Sequence, residues 1–78
     1  MESTFDKAKK ILAANVRAAR LAAGVSQEEL AFRAGIDRTY ASQIERAIAN
    51  PSLGITCAVA DALGCTLTDL LTARGGES

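Results

Sequence analysis

Between residues 37 and 47 the chain reads Asp-Arg-Thr-Tyr-Ala-Ser-Gln-Ile-Glu-Arg-Ala. Wound as a helix, this stretch puts Arg38, Thr39, Ser42, Gln43 and Arg46 on one side, and Ala41, Ile44, Glu45 and Ile48 on the other. The first group suits one kind of chemistry. An arginine such as Arg38 can pair through two N–H groups with a guanine edge, and a glutamine such as Gln43 with an adenine edge, both in the major groove. Thr39 and Ser42 can reach a base edge, a thymine methyl or a phosphate. Arg46 and Tyr40 suit phosphate contacts, which fix register where base contacts specify sequence. Gln27 and the backbone N–H groups beside it can hold phosphate as well, because a helix start is the positive end of its dipole. A polar outer face is also what any amphipathic helix shows to water, so spacing alone leaves both readings open.

Such a helix must be held by others, and the sequence predicts five with very short connections. The first runs from Thr4 or Asp6 to Ala23, with Leu12, Val16, Ala19 and Ala23 on one face and Gly24 ending it. Ser26-Gln27-Glu28-Glu29 has the form of a capping box opening the second helix. Leu30, Ala31 and Ala34 face inward there, and Gly35 stops it. Gly35-Ile36-Asp37 then separates two short helices. The glycine supplies the positive φ that this turn needs, and the small Ala31 permits a close, near-perpendicular crossing. Asp37 is an N-cap type for the third helix, and Asn50-Pro51 forces the next turn. The fourth helix spans 52–63, with Leu53, Val59, Ala60 and Leu63 as core contacts. Gly54 weakens it slightly, and Gly64 closes it. The fifth is short, capped by Thr66-Leu67-Thr68-Asp69, with Leu67, Leu70 and Leu71 on its apolar side. The tail 74–78 reads as disordered.

Composition agrees with an all-α fold. The chain has 78 residues, enough for one small domain over 1–78, and 49% of them are apolar with only Phe5, Phe32 and Tyr40 aromatic. Much of the apolar share is alanine, which favours helix over strand. The formal charge is zero, which counts mildly against binding a polyanion. The distribution is uneven, however: residues 1–50 hold eight Lys or Arg against six acids, and 51–78 hold Arg74 against Asp61, Asp69 and Glu77. With no histidine in the chain, no histidine triad or histidine metal site can be built, and nothing points to an enzyme or a cofactor. Cys57 and Cys65 read as small buried hydrophobes too far apart to bridge. The polar start and the lack of a long apolar run indicate neither a signal peptide nor a membrane span, hence a cytoplasmic protein.

Ser26-Gln27-Glu28-Glu29-Leu30-Ala31, the run from Gly35 to Arg46, and Asn50-Pro51-Ser52-Leu53 together resemble the Xre/Cro-type helix-turn-helix family of phage-repressor-like proteins. Ala60-Asp61-Ala62-Leu63-Gly64 with 67–71 resembles the end of the same domain. The likeness covers about 10–72. It implies a compact five-helix, lambda-repressor-like domain with the helix-turn-helix at 26–46 and the recognition helix at 37–47 in the major groove. It also implies Gln27, Arg38, Thr39, Ser42, Gln43 and Arg46 at an operator in double-stranded DNA, and a structural pair between Arg20 and Glu45. Asp37-Arg38-Thr39-Tyr40 resembles, more narrowly, the small controller proteins of restriction-modification systems. Ala47 stands where the family usually has glycine, so that loop is expected to be strained or reshaped. Gly54, Ile55 and Thr56 are unusual for the fourth helix.

One such domain reads only a few base pairs, and two copies can read half-sites about 34 Å apart. A homodimer through helices four and five is therefore expected, with Ile55, Leu67, Leu70 and Leu71 as candidates. No small-molecule ligand is indicated. The rival reading is an antitoxin or protein-interaction module on the same fold, for which the neutral charge leaves room.

Overall fold

The computed structural model describes residues 1–74 as five helices: α1 (Thr4–Ala23), α2 (Gln27–Ala34), α3 (Arg38–Glu45), α4 (Leu53–Leu63) and α5 (Leu67–Leu71). Serine hydroxyls open three of them: Ser3, Ser26 and Ser52 accept the backbone N–H of Asp6, Glu29 and Ile55. The capping box is complete only at α5. There Thr66 and Asp69 exchange bonds of 2.9 and 3.0 Å, and the Thr66 backbone N–H holds the Asp69 carboxyl below its ordinary pKa. At α2 only the Ser26 half forms, because Glu29 reaches forward to Arg33 at 2.8 Å instead of back to its cap. Asp37 stands at the N-cap position of α3, yet its side chain makes no capping bond.

Leu12 and Val16 of α1, Leu30 of α2, Ile44 of α3, Val59 and Ala60 of α4 and Leu70 of α5 meet in one core. Helices α1 and α4 flank the α2–α3 pair, and α5 packs against α1. Ala31 is buried near the α2–α3 turn, where Gly35 has φ 70° and the Ile36 N–H returns to the Ala31 carbonyl at 2.9 Å. Asn15, buried on α1, donates its amide to the carbonyls of Leu70 and Thr72 at 2.9 and 2.8 Å. That bond pair closes the end of α5, a helix too short to hold itself in water.

Several positions differ from the sequence pattern, each for a local reason. Helix α3 ends at Glu45 instead of running to residue 47. Ala47 adopts φ 58°, the single positive φ outside glycine among the described residues, and lets the N–H groups of Ile48 and Ala49 both reach the Gln43 carbonyl. This reversal breaks the helical period. Ile48 therefore swings outward, 54% exposed, and Ala49 takes the buried position. Leu53, in the first turn of α4, is 67% exposed, because the inner face begins at Ile55 and Thr56. Ala23 is exposed at the last turn of α1. Leu70 is a core residue with 1% exposure and is not available to a second copy. Cys57 and Cys65 are half-buried. Of the tail, only Arg74 falls within the described residues; the reading of 75–78 as disordered lies outside them.

Helix α3 is tied to α1 by charge. Arg20 donates to both carboxylate oxygens of Glu45, from Nε at 2.6 Å and Nη2 at 3.1 Å, and from Nη1 to the Val25 carbonyl at 3.0 Å. Only 2% of the Glu45 side chain and 10% of the Arg20 side chain are exposed. The hydrogen bonds to Glu45 hold the guanidinium above its ordinary pKa. Removing one partner of such a buried pair leaves a charge stranded.

Two outcomes are expected in thermal or urea unfolding. Arg20→Ala should cost about 3 kcal/mol; an unchanged melting point would mean that Glu45 finds other support. Ala47→Gly should instead stabilise, by about 0.5–1 kcal/mol, since a left-handed L-residue costs more than the extra chain entropy of glycine. A loss of stability there would show that the Ala47 methyl packs favourably.

Candidate nucleic-acid interface

The outer face of α3 follows from what its inner face buries. Ala41 and Ile44 are 0% and 4% exposed, and Glu45 turns inward to Arg20. Arg38, Ser42 and Arg46 then form one row at i, i+4 spacing, with Thr39 and Gln43 in the next. Arg38, Thr39 and Arg46 are exposed, and Ser42 and Gln43 are half-exposed. The row is about 12 Å long at 1.5 Å per residue, which matches the width of a B-form major groove.

Neither Arg38 nor Arg46 has an ion-pair partner among the described residues. By contrast Arg20 is bound to Glu45, and Arg33 to Glu29. The zero net charge is thus misleading at this face. Glu45, the acid inside α3, is buried against α1, and Asp37 at the N-cap is the exposed acid that remains beside this face. The donors of the two arginines of the row are open to solvent.

Tyr40 is half-buried and packs against the core cluster. Its ring is therefore held in part by packing. Gln27 is half-buried, and its Nε2 donates to Glu45 Oε1 at 3.3 Å. Its side chain joins α2 to α3 in this structure. The backbone N–H groups of Gln27 and Glu28, in the first turn of α2, have no carbonyl within the helix to bind and remain suited to an anion. The structure thus brings Gln27, Arg46 and the end of α3 to one corner and Arg38 and Thr39 to the other end of the outer face of α3.

Sequence reasoning passed over Arg17. Its Nη1 lies 4.0 Å from Glu45 Oε1 with 61% of the side chain exposed. The signal was present as the i, i+3 spacing to Arg20, which puts both on one face of α1. Among the described residues no group of three or more His, Cys, Asp or Glu could hold a metal, and no helix is long and apolar enough to cross a membrane.

This geometry has close counterparts. The helix-turn-helix family matches residues 16–70. The control protein C.SmaI of Serratia marcescens is 41% identical over 71 residues, covering 91% of this chain and 84% of that one. A hypothetical transcription factor from Neisseria superposes with TM-score 0.85 at 38% identity, over 95% of this chain and 85% of that one. The restriction-modification controller protein C.AhdI from Aeromonas hydrophila superposes with TM-score 0.77 at 37% identity, over 80% of this chain and 94% of that one. With its α2–turn–α3 unit, its arginine row turned outward and the family match over most of its length, the chain belongs to the Xre-type helix-turn-helix family of DNA-binding transcription regulators.

Proposed function

We propose that this chain is a controller-type operator-binding regulator that works as a homodimer, as the likeness to C.SmaI and C.AhdI suggests. The observation that carries the reading is the row Arg38–Ser42–Arg46, whose arginines are exposed and without an internal acid. In this reading Arg38 pairs with a guanine and Gln43 with an adenine, while Thr39 and Ser42 touch neighbouring base edges or phosphate. Arg46, Tyr40 and the Gln27 end of α2 hold phosphates and set the register of α3 in the groove.

The dimer surface follows from what α4 and α5 leave uncovered. Leu70 is in the core, and Ile55 packs against it. Leu67 is half-buried, while Leu71 and Leu53 remain 46% and 67% exposed. Leu53, Leu71, Pro51 and Leu12 line a groove with Phe5 of α1, itself 49% exposed. A second copy related by a two-fold axis would bury this rim and place two recognition helices on successive turns of one duplex face.

Binding is best measured by salt titration against a duplex carrying the promoter of the chain's own operon, with random duplex beside it. Arg38→Ala should lose about 1–3 kcal/mol on the operator and little on random DNA, whereas Arg46→Ala should weaken both alike. Equal losses on both duplexes for Arg38→Ala would remove it from base reading. In analytical ultracentrifugation, Leu53→Glu should convert a dimer to a monomer with its helix content intact. A wild-type monomer at all concentrations would end the dimer reading, and a dimeric Leu53→Glu would move the interface elsewhere.

A further inference from the structure

Glu45 carries one negative charge, and Arg20 already donates to both of its oxygens, at 2.6 and 3.1 Å. Gln27 adds a third donor at 3.3 Å on Oε1. Arg17 approaches that same oxygen only to 4.0 Å, from a side chain that is 61% exposed. At such distance and exposure an ion pair contributes little. The charge of Arg17 is therefore neither required by Glu45 nor cancelled by it. Two guanidinium groups against one carboxylate leave a net positive charge at this spot, and Arg17 is the one of the two that solvent can reach.

Its position gives that charge a direction. Through Glu45, Arg17 adjoins the last turn of α3, where the exposed Arg46 follows, and the side chain of Gln27 at the start of α2. Arg17 thus stands beside the recognition face without belonging to α3. We propose that Arg17 is a further DNA-contacting residue, which binds a backbone phosphate flanking the bases read by α3. The inference rests on the reading of α3 as the recognition helix. Arg20 holds Glu45 so that Arg17 is free to turn outward, and the phosphate replaces the distant carboxylate as its partner. Contact with phosphate carries no sequence information, so Arg17 adds affinity and register in equal measure on every duplex.

The test uses the full chain with Arg17→Ala and Arg17→Lys, on the promoter duplex and on random duplex, between about 50 and 200 mM salt. Loss of one phosphate contact in each subunit should weaken binding about eightfold per subunit near 0.1 M salt on both duplexes, and flatten the slope of log K against log salt by about one per subunit. Arg17→Lys should recover most of this, since a point charge suffices, and neither variant should change the melting temperature. Wild-type affinity and slope in Arg17→Ala, with Arg46→Ala still weakened, would overturn the proposal and leave the α3 reading standing. A lowered melting temperature with an unchanged slope would make Arg17 a support for Glu45 and overturn it too. Were Arg17→Ala, Arg38→Ala and Arg46→Ala all to bind as wild type, the α3 reading would fall with it.

Discussion

The buried carboxylate of Glu45 constrains much of the rest of the molecule. A charge 98% removed from water demands a partner with matching geometry, and Arg20 meets that demand with two donors while a third holds the Val25 carbonyl. The consequence is positional. Helix α3 has only eight residues and no side-chain bond at its N-cap, so it cannot fix its own orientation. Packing of Ala41 and Ile44 sets how deep it sits, and the Arg20–Glu45 fork sets its rotation about its own axis. Gln27 brings α2 into the same knot. Helices α1, α2 and α3 are therefore joined at one carboxylate.

Much of this was legible in the sequence because it depends on local chemistry. Gly24, Gly35 and Gly64 end three helices at φ of 69–72°, where a side chain would be strained. Ser26, Ser52 and Thr66 start helices because a hydroxyl can satisfy an orphaned N–H. The pattern failed where a non-local choice prevailed. Periodicity carried Ile48 inward on the assumption that α3 continues, but the left-handed turn at Ala47 ends it two residues earlier. Leu53 looked like core by type alone, and its place in the first turn of α4 exposes it. Asn15 gives no local sign that it would reach 55 residues along the chain to cap α5. Glu29 had two legitimate partners, its own cap and Arg33, and composition does not decide between them.

The outer face of α3 was legible residue by residue, since exposure follows from the burial of Ala41 and Ile44 opposite. Its electrostatics were not. A net charge of zero argued against a polyanionic partner, yet that sum mixes acids that neutralise internal arginines with arginines that face outward. Burial of Glu45 removes the acid in α3 from the surface and leaves Asp37 at the N-cap as the exposed acid beside Arg38 and Arg46, with neither arginine in an ion pair. Charge becomes informative only after internal pairs are subtracted, and subtraction needs distances.

That subtraction also separates two kinds of residue at the interface. Arg38 and Thr39 are exposed and have no structural task, so substitution there leaves the fold undisturbed. Arg20 and Gln27 hold Glu45 and hence the angle of α3, while Tyr40 is partly committed to the core. Substitution at these positions would shift the whole helix in the groove. In the proposed reading of α3, a displacement of an ångström would weaken every base contact together, because hydrogen bonds to base edges tolerate little error in distance or angle. The exposed end of α3 is thus free to vary without cost to the fold, while its base is held by the Arg20–Glu45–Gln27 contacts.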